Sequence, residues 1–123
     1  MNNLIIDAAN DKIFFMIMAG NKSYTSEFSN NRENFDKLTI LVVKFLKNNQ
    51  VNIKNLSNIF VNQGPGKFSS IRTSISVAKA IALSRNINLF GFYSKDFDGK
   101  DYKKILNLKK KNIQNKDLIK PLY

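Results

Sequence analysis

Ile59-Phe60-Val61-Asn62-Gln63-Gly64-Pro65-Gly66-Lys67-Phe68-Ser69-Ser70-Ile71-Arg72 is the most informative run of this chain. An apolar run ends in Gly-Pro-Gly, and a helical pattern begins at Ile71 and continues to Ser84. A strand that turns through glycines into a helix places backbone N–H groups beside a helix N-terminus. That geometry suits the close approach of a phosphate or of a packed partner. The spacing is not that of a P-loop, which needs four residues between its glycines and a hydroxyl after the lysine, whereas Phe68 follows Lys67. A dinucleotide fingerprint is excluded as well, because its third glycine is missing. From spacing alone the turn serves close packing, with Ser69 or Ser70 expected to cap the helix.

Composition narrows the chemistry. The 123 residues are one domain's worth of chain, and 43% hydrophobic residues with ten Phe support a packed core. There is no His and no Cys. Most nucleophile–base pairs and transition-metal sites are excluded with them, and disulfides are excluded outright. The start, Met1-Asn2-Asn3-Leu4, has no basic targeting region, and no apolar run approaches the roughly 18 residues of a membrane span. The expectation is a cytoplasmic protein with no membrane partner.

The formal net charge is +11, which invites a nucleic-acid reading because lysine and arginine release counterions from phosphates. Only three of the 20 basic residues are Arg, the side chain that specific phosphate and base contacts favour. Abundant Asn, Lys and Ile also fit codon bias in an AT-rich genome. Charge alone therefore leaves RNA binding and solubility both open.

Outward from the loop, the pattern predicts strands at Leu4–Ala9, Lys12–Ala19 and Lys22–Ser29, joined at Asn10-Asp11 and Gly20-Asn21. In the third strand, Tyr24, Ser26 and Phe28 alternate with Ser23, Thr25 and Glu27. A helix from Glu33 to Asn48 follows, with Phe35, Leu38, Leu41, Val42, Phe45 and Leu46 on one stripe. Asn30 or Asn31 would cap it, with Glu33 and Asp36 against its positive end. Asn49–Ser57 reads as a linker, Asn58–Gln63 as the fourth strand and Leu89–Tyr93 as the fifth. The order is strand, strand, strand, helix, strand, helix, strand, an α/β domain over residues 1–94. Residues 95–123 carry many lysines around sparse apolar residues. Ile105, Leu106 and Leu108 are too few for an independent core, so the segment reads as a basic appendage that docks on the main sheet as a short hairpin or strand.

Two further features carry alternatives. Ser74, Ala78 and Ala82 form a small-residue stripe, which serves either packing on the chain's own sheet or a second subunit. Asp7, at the end of the first strand, is placed like a catalytic carboxylate. It lacks convincing companions, since Glu27 and Glu33 are the only other acids of interest in the first half, and one carboxylate cannot run two-metal chemistry. A polar strand end that caps a turn explains it as well.

The run from Gly64 to Arg72 resembles the G-P-G-S-F-T-G-[LIV]-R signature of the bacterial TsaB family. Leu4-Ile5-Ile6-Asp7-Ala8-Ala9 is similar to that family's opening strand, Val77 to Leu83 to its small-residue helix, and Leu89 to Ser94 to its Gly-Val-Ser-Ser strand. Pro121-Leu122-Tyr123 resembles its Pro-x-Tyr close. Lys67 and Ser70 depart from the usual Ser and Gly, Arg32-Glu33-Asn34-Phe35 lacks the usual His, and most of a second domain is missing. The resemblance implies an actin/sugar-kinase-like (ribonuclease-H-like) domain with a mixed five-stranded sheet. It implies a non-catalytic scaffold that dimerises with the catalytic subunit TsaD, alongside a TsaE-like ATPase, in tRNA threonylcarbamoyladenosine formation. The catalytic relative binds its metal through a His pair, which this chain cannot supply.

On that footing no catalytic residue, metal or cofactor is expected. Gly64, Pro65, Gly66, Phe68, Ser69 and Arg72 would shape the loop and helix start. Leu38, Leu41, Val42, Phe45, Ile75, Ala78 and Ala82 would face the partner, tRNA being met only indirectly and a homodimer being a further use of the face. A small basic RNA-binding module is the runner-up, and a metal-dependent nuclease around Asp7 the third reading.

Overall fold

The computed structural model describes residues 2–96. Five strands form one sheet: β1 (Asn2–Asp7), β2 (Lys12–Ala19), β3 (Lys22–Ser29), β4 (Leu56–Asn62) and β5 (Asn88–Phe92). Their order across the sheet is β3-β2-β1-β4-β5. The first three are antiparallel, whereas β4 and β5 run parallel to β1. This follows from the connections. Connections of four and two residues join antiparallel neighbours, and the long crossovers through helices return parallel. Gly20, at φ +62°, makes the second hairpin turn without steric cost.

Three helices lie on one face: α1 (Arg32–Asp36), α2 (Leu38–Asn48) and α3 (Phe68–Arg85). Leu4, Ile6, Phe15, Ile59, Val61 and Leu89 from the strands meet Leu38, Val42, Phe45, Ile71, Ile75 and Ala78 from the helices in one core. The opposite face carries Ile5, Met16, Phe60, Phe90 and Phe92 in a second cluster, with the Phe60 and Phe90 rings stacked at 5.2 Å. Strict alternation along β1 sends Leu4 and Ile6 to one cluster and Ile5 to the other.

Several boundaries differ from expectation. The single helix over 33–48 is two, because Lys37 (φ −104°, ψ 17°) leaves helical geometry and its N–H bonds the Asn34 carbonyl at 3.1 Å. No Gly or Pro announces that break. Asn31 is the N-cap, its side chain accepting from the Asn34 N–H at 2.9 Å. Asp36 then falls in the last turn of α1 rather than at its positive end, facing Arg32 at 3.8 Å. A short 3-10 turn, Ile53–Asn55, occupies the linker, and β4 starts at Leu56. Neither Ser69 nor Ser70 caps α3. The helix starts earlier, at Phe68, with Lys67 as an N-cap that makes no side-chain cap bond. The expected appendage, 95–123, lies outside the described residues beyond Asp96.

Helix α3 ends without glycine. Asn86 takes the left-handed conformation (φ 53°, ψ 46°), and the Ile87 N–H returns to the Ala82 carbonyl at 2.9 Å. Asn tolerates that region better than other side chains with a Cβ, and a β-branched residue does not. Asn86→Val should therefore lower stability by about 1–2 kcal/mol, with Asn86→Gly neutral or slightly stabilising. Urea midpoints of the two variants at constant slope check this.

Candidate functional site

β1, β4 and β5 end at the same edge, and the residues at and just beyond their ends form one bonded cluster. Asn62 donates from Nδ2 to Asp7 Oδ1 at 3.0 Å and to Ser94 Oγ at 3.2 Å. Its own Oδ1 accepts from the Gly64 N–H at 2.7 Å. Asp7 Oδ1 also accepts from the Ala9 N–H at 3.2 Å, which turns the chain after β1. Ser94 closes the ring, its N–H bonding Gly64 O at 3.0 Å and its Oγ donating to Pro65 O at 3.0 Å. The carboxyl ends of three parallel strands are thus knotted through side chains, the position at which parallel sheets present their functional edge.

The loop itself is held on both sides. Gly64 has φ +105°, which favours glycine, and the Gly64–Pro65 peptide is cis. A Cβ on Gly66 would collide with the Ala9 carbonyl. The Lys67 N–H bonds that same carbonyl at 2.9 Å. The two glycines are therefore required for different reasons, one by torsion and one by proximity. Lys67 Nζ reaches Asn30 O at 3.3 Å and Asp11 Oδ1 at 3.6 Å. Asn30 donates to Ala8 O at 2.9 Å and Asn10 O at 2.7 Å, so one buried amide clamps the turn after β1 against the start of α1. Nothing in the sequence marks Asn30 for that role beyond its place as a cap candidate.

Beyond the loop the surface passes onto α3. Phe68, 51% exposed, lies under the Arg72 guanidinium at 5.3 Å. With Ser69, Thr73, Ser76 and Val77 these two line a shallow groove of about 400 Å³. The structure brings the loop and helix-start residues together, with Gly64 buried and Pro65, Gly66, Phe68, Ser69 and Arg72 at the surface.

The seven positions expected to face a partner fare differently. Leu38, Val42, Phe45, Ile75, Ala78 and Ala82 are all at most 4% exposed, and they hold the helices to the chain's own sheet. Leu41 is half-buried against the same core. Core packing explains these side chains, and the small-residue stripe with them. The large apolar residues left exposed among the described residues are Ile40, Val43, Phe68 and Leu83, all on α2 and α3. Ile40, Val43 and Leu83 were missed by periodicity, although each is an apolar residue off the helix stripe, and that was their signal.

Asp7 is 5% exposed and serves the strand-end cluster. Glu33 bonds Lys37 at 3.4 Å, and Glu27 lies on β3 opposite Phe14. Among the described residues, no three His, Cys, Asp or Glu side chains are grouped to hold a metal. No helix among them is long and apolar enough to cross a membrane.

A family model described as TsaD, tRNA N6-adenosine threonylcarbamoyltransferase, matches residues 29–94. That span holds the three helices, the glycine loop and Ser94. A curated relative is the tRNA threonylcarbamoyladenosine biosynthesis protein TsaB of Buchnera aphidicola subsp. Schizaphis graminum, 31% identical over 88 residues, covering 72% of this chain and 42% of the relative. Among solved structures, YeaZ from Pseudomonas aeruginosa superposes with a TM-score of 0.69 at 17% identity, covering 75% of this chain and 43% of that one. Thermus thermophilus RuvC in complex with Holliday junction substrate has a TM-score of 0.53 at 9% identity, covering 77% of this chain and 66% of that one. The two structural likenesses concern the fold. The chain spans less than half the length of the TsaB relative and of YeaZ.

The loop geometry makes a graded prediction. Gly66→Ala and Gly64→Ala should each destabilise by about 1–3 kcal/mol, one by collision and one by torsion. Lys67→Ala should cost less than about 1 kcal/mol, because its ion pair is solvent-exposed. Thermal unfolding of the three variants side by side measures that ranking.

Proposed function

The chain belongs to the TsaD/TsaB family, on its TsaB side, and from that premise we propose that it is a non-catalytic scaffold subunit for tRNA threonylcarbamoyladenosine formation. Its partner is a TsaD-like catalytic subunit. The observation that carries this reading is the helical layer: the exposed large apolar residues among the described ones, Ile40, Val43, Phe68 and Leu83, all stand on α2 and α3. Burying one such side chain contributes about 1.5–3 kcal/mol, so four on one layer supply a substantial driving force for association. The absence of His from the sequence supports the non-catalytic part, because a His-pair metal site cannot be assembled from it. In this role the tRNA is met through the complex, a TsaE-like ATPase is a further partner, and self-association is the competing use of the same layer. The cytoplasm, where tRNA is modified, is the compartment this role requires.

The net charge of +11 favours one rival, a small basic RNA-binding module. Co-purification with the TsaD-like protein of the same genome, followed by mass determination in solution, separates the two. A heterodimer is expected, weakened at least about tenfold by Val43→Arg or Leu83→Arg, since an unpaired charge at an apolar contact costs more than about 1.4 kcal/mol. Thr25→Arg on the exposed side of β3 should leave it unchanged. Arginine at Val42 or Ala78 is uninformative, because both are buried and the fold itself would fail. Separate monomers with a salt-steep RNA affinity would instead favour the module.

A further inference from the structure

The surface that α2 and α3 leave exposed is basic as well as apolar. Lys44 and Lys47 stand on α2, Arg72, Lys79 and Arg85 on α3, and neither helix holds an Asp or a Glu. Lys79 is half-buried and the other four are exposed. Among the described residues none of the five is in an ion pair, Arg72 lying instead over Phe68. The two acids of α1, Asp36 and Glu33, face Arg32 and Lys37 one turn away. Helix electrostatics does not explain this pattern. The helix dipole favours Lys47 and Arg85, which stand in last turns, but it equally favours carboxylates in first turns, where both helices have none. Solvated cations cost little in the free chain. They become costly when another surface covers them, unless that surface brings the opposite charge.

Charge and apolar surface meet at one place. Val43, Leu46, Val51 and Ile53 line a hollow of about 360 Å³ together with Lys47 and Arg85. Leu46 is buried and Val51 and Ile53 are half-buried, so the floor is aliphatic, whereas the two cations are exposed. We infer that the surface this layer receives is an acidic protein face, with a large apolar side chain for the hollow and carboxylates opposite Lys47 and Arg85. The inference rests on the scaffold reading above and adds the chemistry of the partner's side. An apolar centre within a charged rim is the ordinary anatomy of such a contact, and the rim charges act mainly on the rate of encounter. A second copy does not meet these demands. Two such layers would bring cations against cations with no carboxylate between them, which opposes the gain from burying Ile40, Val43 and Leu83. Nucleic acid meets the charge alone, because a phosphate backbone has nothing to place in an aliphatic hollow.

Binding of the full chain to the TsaD-like protein of the same genome, followed at low and at high salt, tests this. The affinity should fall about tenfold or more as salt rises, mostly through the association rate. Lys47→Glu combined with Arg85→Glu should weaken the low-salt complex by about tenfold or more and flatten its salt dependence. Both residues are exposed, so the fold tolerates the change. Lys22→Glu, in the exposed start of β3, should alter neither quantity by more than about twofold. A heterodimer whose affinity ignores both salt and the double substitution overturns the inference and leaves the scaffold reading standing. Absence of any heterodimer overturns both. A low-salt homodimer of the chain alone that Leu83→Arg abolishes would give the layer to a second copy and overturn the inference. Salt-steep binding of unfractionated tRNA that the double substitution removes would overturn it in favour of RNA.

Discussion

The approach of the Gly66 backbone to the Ala9 carbonyl is the contact on which the rest of the structure turns. It brings the start of α3 against the end of β1, so the crossover from β4 must pass over the sheet's carboxyl edge. The Lys67 N–H takes up the same carbonyl at 2.9 Å, and α3 then runs down the face with Ile71, Ile75, Ala78 and Ala82 inward. No side chain fits at position 66, which ties one glycine to the placement of an 18-residue helix. The bonds among Asp7, Asn62 and Ser94 add cross-links between strand ends at the same edge.

Buried polar groups do this work at little net gain each, about 0.5–1.5 kcal/mol per bond, but leaving any of them unpaired would cost more. At the opposite edge Asn58 donates to Asn3 at 2.7 Å, and Asn88 donates to Asn58 at 3.3 Å. Polar rows thus bracket the aromatic middle of the second face at both ends. A one-residue slip of β4 would bring Phe60 onto the helical face and break both rows, so register is specified twice, by packing and by hydrogen bonding.

Strand periodicity was legible to the residue in β2 and β3, because tight turns and alternation leave one solution for a half-buried antiparallel hairpin. The loop and its helix were legible from glycines in a strand–helix setting. The break at Lys37 was not, since no residue type there resists the helix and only the closing bond to Asn34 ends the turn. Nor was the start of α3 at Phe68. Serines suggested a cap, but the tether of Lys67 to Ala9 set the first turn two or three residues earlier. Asn30 likewise became a clamp only because the end of β1 and the start of α1 meet in space.

By itself the sequence determined the element types, the antiparallel opening, the parallel return through helices and the absence of histidine chemistry. These are local properties: periodicity, turn residues and side-chain inventory. Which apolar residues are core and which are surface was decided by the tertiary structure. Leu38, Val42 and Ala78 share a helical stripe that could serve a sheet or a partner, and only the docking of α2 and α3 on β1, β2 and β4 consigns them to the interior. The same docking leaves Ile40, Val43, Phe68 and Leu83 outside. An amphipathic helix declares that it has an apolar face, but the identity of what covers it is a property of the packed molecule.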